Sequence, residues 1–162
     1  MHSRIYQVSS KRLTKDEWEY PEDFYENSGD FADYIGDRVE DSDLRKEQIG
    51  YLAKSLADLF DLDKSGRALV FKGGLDKFKK AWADAIREAA MKVTEDNVLD
   101  WRFRYDVRAI CRETHLQSSY RLHIMEWNGH AGPMSDLIEW ISCEKFKPGK
   151  KIYIGAIIDY HY

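Results

Sequence analysis

The sequence predicts an α+β fold, a single domain over residues 1–162 with about five strands in a mixed or mainly antiparallel sheet and three or four packed helices. Three observations carry that expectation. Trp101, Phe103, Tyr105, Val107, Ala109 and Cys111 alternate with Arg102, Arg104, Asp106, Arg108, Ile110 and Arg112, the period of two of a half-buried strand. Two segments, from Asp43 and from Leu75, repeat apolar residues every three to four positions, the period of amphipathic helices. The run Ile152 to Ile158 is apolar on both faces, as in a strand interior to a sheet and covered on each side.

Ile5, Tyr6 and Val8 favour a first short strand over Arg4 to Val8, ended by the polar turn Ser9 to Arg12. Irregular structure follows to Asn27, and then a short helix over Asp30 to Val39. The next helix starts with Asp43 as cap, carries Ile49, Leu52, Leu56, Leu59 and Phe60 on one face, and ends near Asp61. The turn Asp61 to Gly66 leads to a strand from Arg67 to Lys72. The second helix places Leu75, Phe78, Trp82, Ile86 and Ala89 on its apolar side. The alternating strand from Trp101, the polar loop Glu113 to Ser119 and a second alternating run, Tyr120 to Met125, read as an antiparallel hairpin. Pro133 is placed as the first residue of a last helix bearing Met134, Leu137, Ile138 and Ile141, and Lys147-Pro148-Gly149 stops it.

Composition narrows the functional classes. With 162 residues, 43% hydrophobic and 14% aromatic, the chain can bury roughly 70% of its unfolded surface without disulfides or metals. Cys111 and Cys143 have no metal-type spacing, which reads as a reducing compartment and as buried, inert thiols. The start of the chain has no apolar signal core and no run reaches the roughly 18 residues of a membrane span, so a cytoplasmic protein is expected.

Charge is segregated along the chain. Residues 16–43 hold twelve acids against one base, Arg38, a window of −11 in a chain of net charge −4. Trp18, Tyr20, Phe24, Tyr25, Phe31 and Tyr34 are interleaved with those acids, too aromatic a composition for a solvated tail. The expectation is that Trp18, Phe24 and Phe31 anchor the segment while Glu17, Glu19, Glu22, Asp23, Glu26, Asp30, Asp33 and Asp37 face solvent as a binding surface for a basic protein partner. Spaced carboxylates of this kind can also imitate nucleic-acid phosphates, which would make the chain an inhibitor of a nucleic-acid-binding protein.

A second candidate surface is the arginine row. Arg102, Arg104 and Arg108 project on one side of a strand on which alternate residues stand about 7 Å apart, near the spacing of successive phosphates, and Arg121 in the following run joins them. Nucleic-acid or anion binding is therefore the alternative reading, against plain ion pairing with the protein's own acids. A third reading is a small hydrolase or transferase using His123, Asp159 and His161 as an acid–base set. No residue pattern names a reaction, and the favoured reading is binding without catalysis, with no cofactor and no metal. Asp61 to Gly66 opens like a calcium loop, but Lys72 stands where a bidentate glutamate belongs, so a plain turn is the expectation.

Overall fold

The computed structural model describes residues 2–30, 32–99, 120–127 and 129–161, with the backbone alone at 26–30. In chain order these residues form β1 (His2–Ser9), 3₁₀ segments at Lys15–Glu17 and Pro21–Asp30, β2 (Tyr34–Arg38), α1 (Ser42–Ser55), β3 (Phe60–Leu62) and β4 (Ala68–Phe71). They continue with α2 (Leu75–Ala90), β5 (Arg121–Ile124), β6 (Ala131–Gly132), α3 (Met134–Cys143) and β7 (Lys151–His161). The class is α+β, and the strands make one mixed sheet of seven in the order β3-β4-β7-β1-β5-β6, with β2 also paired to β7.

β7 is the spine of this sheet because it is long enough to be shared. Its early residues pair with β4 (Ala68 opposite Tyr153, Val70 opposite Lys151) and its late residues with β2 (Tyr34 opposite His161, Arg38 opposite Ile158). β1 runs antiparallel along its other edge from His2 opposite His161 to Ser9 opposite Tyr153. The apolar run at 152–158 thus lies between neighbours on both edges and under side chains on both faces. On one face Ile152, Ile154 and Ile157 join Leu52 of α1 and Leu137, Trp140 and Ile141 of α3 in the larger core. On the other, Ala156, Ile158 and Tyr160 join Ile5, Ile35, Ala131 and Phe24.

The switch between Ile154 and Ala156 shows that the alternation of β7 slips, and the register with β1 shifts at the matching place, between Tyr6 and Val8. Gly155 sits at this bulge. A Cβ there would lie 2.4 Å from Gln7 Oε1 and 2.7 Å from Leu13 Cδ1, so the residue is small because two side chains come down onto its backbone.

Among the described residues seven strands are seen, four of the expected five and three additions, and each addition has a physical reason. Tyr34–Arg38 is strand instead of helix because β7 offers a free edge there, and Gly36 and β-branched Ile35 suit an extended chain. Phe60–Leu62, expected as the end of a helix, pairs with β4 instead, placing Phe60 against Phe71. Ala131–Gly132, expected in a loop, closes on His123 and Leu122.

Other boundaries move as well. The cap of α1 is Asp41, whose carboxylate accepts from Asp43 N at 3.0 Å and Leu44 N at 2.8 Å. Pro133 is extended and precedes α3, and Lys15–Glu17 and Pro21–Asp30 are 3₁₀ instead of irregular. β5 pairs in parallel with β1, Ile5 opposite Arg121 and Val8 opposite Ile124. The expected partner strand with Arg102, Arg104, Arg108 and Cys111 lies outside the described residues, as does Phe31. Cys143 is exposed, not buried, because it falls at the last turn of α3 past the core-facing Ile141. Among the described residues no helix is long and apolar enough to cross a membrane.

Candidate functional site

The acidic segment is attached to the sheet by one buried glutamine. Gln7 is 1% exposed, and its Oε1 accepts from Ala156 N at 2.8 Å and Glu19 N at 3.2 Å. Its Nε2 donates to the carbonyl oxygen of Glu17 at 2.9 Å and to Met125 Sδ at 3.1 Å. A side-chain amide thus replaces the ladder bonds that the bulge removes and ties residues 17–19 over β7. Beyond it Phe24 is buried in the second core and meets His123 edge-on, the ring centroids 5.3 Å apart.

Trp18 is held from the side of the sheet edge. The Arg45 guanidinium lies over its ring at 4.0 Å and donates to the Gly155 carbonyl at 2.6 Å, while Arg38 lies 4.6 Å from the Tyr20 ring centroid. Cation–π contacts of this kind contribute about 0.5–2 kcal/mol each, more as water is excluded. Thr14 and Glu17 form a capping box at the first 3₁₀ turn, which draws the Glu17 carboxyl below its ordinary range through hydrogen bonds from Thr14.

With its apolar side held down, the segment turns most of its described carboxylates outward. Asp16, Glu17, Glu22, Asp23, Asp33 and Asp37 are exposed, as are Tyr20, Tyr25 and Tyr34. The side chains of Glu26 and Asp30 lie outside the described residues. Asp33 pairs with His161 at 2.7 Å, and Glu40 takes Lys15 at 2.8 Å and Arg38 at 2.5 Å. Lys72 pairs with Asp61 and Lys80 with Asp84; among the described residues no lysine of 72–80 pairs with segment 16–43.

Glu19 differs from its neighbours. Its side chain is 22% exposed and lies 3.5 Å from His123 Nε2. Burial first, then the hydrogen bond and charge of Asp23, push its carboxyl up to about 7. Burial pushes His123 down from its ordinary value, so both groups are shifted toward their neutral forms.

The structure does not bring His123 together with Asp159 and His161. His123 packs on Phe24, on the face of Ile5 and Ile158. Asp159 and His161 alternate with Ile158 and Tyr160 along β7 and so leave the sheet on the opposite face. There Asp159 is bound by Arg4 and by His2 Nδ1 at 3.0 Å, and the rings of His2 and His161 meet edge-on. Arg121 emerges on the face of His123, half-buried.

The Asp61–Gly66 turn is held by Asp63, whose carboxylate accepts from Ser65 Oγ at 2.7 Å and Arg67 N at 3.2 Å and pairs with Lys151 at 3.2 Å. Gly66 supplies the positive φ of 69° that closes it. Among the described residues no group of three or more His, Cys, Asp or Glu side chains is arranged to hold a metal ion.

Sequence reasoning missed Gln7 and Arg45. Gln7 carries no local signal, since its partners lie far away in sequence. Arg45 had one: with Lys46 it puts two cations into the opening turns of α1, where the helix dipole favours acids. No protein-family model, no curated protein and no solved structure matches this chain.

Proposed function

We propose that the chain is a non-catalytic binding protein that engages a basic protein partner through segment 16–43, as a competitor for that partner's nucleic acid or as a simple docking surface. The observation that supports this is the division of labour within the segment. Phe24, Trp18 and the Gln7 amide fix it to the sheet, whereas Asp16, Glu22 and Asp37 are exposed with no ion pair to another described residue. Tyr20, Tyr25 and Tyr34 stand among them at 53%, 54% and 62% exposure, and exposed tyrosines beside charges are the composition of a recognition surface. A carboxylate field of this kind accelerates encounter with a cationic partner more than it strengthens the complex.

The test uses a lysine- and arginine-rich protein of known fold as probe, with association followed by stopped-flow or surface-based kinetics. Asp16→Asn/Glu22→Gln/Asp37→Asn should slow association by about tenfold at low salt and by much less at 0.5 M salt. Tyr25→Ala/Tyr34→Ala leaves the charge intact and should speed dissociation. Association unchanged by the triple variant would remove the reading, and a charge effect without a tyrosine effect would reduce it to a nonspecific field.

A further inference from the structure

The basic counterpart of the acidic segment lies at the gap in the sheet edge, where β4 stops and β2 has not begun. A cleft of about 300 Å³ opens there, floored by Tyr153 and Ile154 and walled by Trp18 and Ile49. Five cationic side chains line it, Arg12, Lys15, Arg45, Lys46 and Arg67, against one carboxylate, Glu40. Glu40 is already engaged by Lys15 and Arg38.

The bulge of β7 gathers these cations. The Arg67 carbonyl accepts from Ile154 N at 3.3 Å, and Arg45 donates to the carbonyl of the next residue, Gly155. Leu13 comes down on that same Gly155, which brings Arg12 to the rim from the other side. Arg45 thus reaches the bulge with its guanidinium, while Arg12, in the loop after β1, and Arg67, in the turn before β4, line the same cleft.

Among the described residues, Arg12, Arg45 and Arg67 have no carboxylate within ion-pair distance. Arg45 is half-buried and directs its donors to two backbone carbonyls, Gly155 and Val39, leaving further N–H groups. Burial, with the smaller effects of the Arg38 and Arg67 charges, pushes its guanidinium below the usual range against the opposing charge of Glu40, so like charges have been brought together at a cost in the fold.

We propose that this cleft binds a small anion carrying two or more phosphate charges, held by the planar forks of Arg12, Arg45 and Arg67. The volume is at the lower end of small-molecule sites, which suits a compact anion and not a large ligand. Phosphate is favoured over carboxylate because a tetrahedral multivalent oxyanion takes several forked donors from different directions, whereas a planar carboxylate is satisfied by one.

Inorganic pyrophosphate is the probe, titrated calorimetrically into the full chain at constant ionic strength, with citrate as the carboxylate comparison. Binding at about 1 mM or tighter is expected, with citrate clearly weaker. Arg12→Gln/Arg67→Gln, both exposed and outside the cores, should weaken it at least about tenfold and leave thermal stability unchanged. Lys145→Gln/Lys147→Gln, at exposed positions after α3 and outside the cleft, should leave it intact. No heat at millimolar pyrophosphate, or equal affinity in the Arg12/Arg67 variant, overturns the site, and citrate binding as tightly as pyrophosphate overturns the phosphate assignment.

Discussion

Replacing Gln7 by leucine should both destabilise the protein and release the acidic segment. Ala156 is 1% exposed, so its N–H, deprived of Gln7 Oε1, has no water to turn to, and a buried unpaired donor costs about 1–3 kcal/mol. Glu19 N and the Glu17 carbonyl lie in a partly solvated segment, where water replaces the lost bonds and the net loss is about 0.5–1.5 kcal/mol each. Leucine returns about 1 kcal/mol of apolar burial. The balance is a loss of about 1–5 kcal/mol, and the midpoint of about 3 kcal/mol lowers Tm by roughly 6–12 °C in a chain of 162 residues.

Gly155→Ala tests the same contact from the other side. The new Cβ would lie 2.4 Å from Gln7 Oε1 and 2.7 Å from Leu13 Cδ1, and the backbone of Gly155 is not in the positive-φ region, so the damage comes through those two side chains. Thermal unfolding gives the stability, and amide hydrogen exchange over residues 17–25 reports the segment. The two substitutions should be non-additive, because both break the Gln7–Ala156 bond, with the Leu13 contact still felt in the double variant. A Gln7→Leu protein with Tm within about 1 °C of the parent and unchanged exchange at 17–25 would refute the pinning argument.

The remaining predictions concern charge. Glu19, pushed up to about 7 from an unfolded value near 4.5, holds a proton in the folded state that the unfolded chain has released between those values. This contribution to stability is complete below pH 4.5 and lost as pH rises to 7, so Glu19→Gln should gain on the parent at pH 8 and lose that advantage at pH 4.5, by urea unfolding. Asp63 has the opposite sign: against burial, which would raise it, Ser65, Lys151 and the Arg67 N–H hold it down to about 2. Its contribution is present above an ordinary carboxyl value and lost as pH falls toward 2, so Asp63→Asn should be less stable at pH 7 and match the parent near pH 2. Asp16→Asn, Glu22→Gln and Asp37→Asn should each change stability by no more than about 0.5 kcal/mol in chemical unfolding, as exposed groups without described ion pairs do.

The parts of this fold that could be read from sequence are those whose burial is periodic. Leu52 and Ile49 of α1, Leu137 and Ile141 of α3, and the two-sided apolar run of β7 each recur at the spacing their element requires. β2 was misread because its strand character comes from a partner more than a hundred residues away: Tyr34 and Ile35 are extended because His161 and Tyr160 offer an edge. β6, two residues long, has no period to detect. The site was less legible still. Alternation put His123, Asp159 and His161 on strands, but only the register of β1 between β5 and β7 decides that they leave opposite faces.

The acidic face and the basic cleft share one structural cause, and that makes them separable by experiment. From Arg12 to Arg45 the chain leaves β1, crosses the β7 bulge and returns to the gap beside it, so both surfaces are built on the same three residues, Ile154, Gly155 and Ala156. Apart from Glu40, which lines the cleft, their charged groups do not overlap. Asp16, Glu22 and Asp37 belong to the outward side of the segment, whereas Arg45 and Arg67 are carried by α1 and the start of β4, which Gln7 does not touch. Loss of the Gln7 amide should therefore loosen residues 17–19 while leaving Arg45 and Arg67 in place. The arrangement is unfavourable in Coulomb terms, since carboxylates turned away from the cleft leave its guanidinium groups without ion pairs, and water screening of the exposed acids limits that cost.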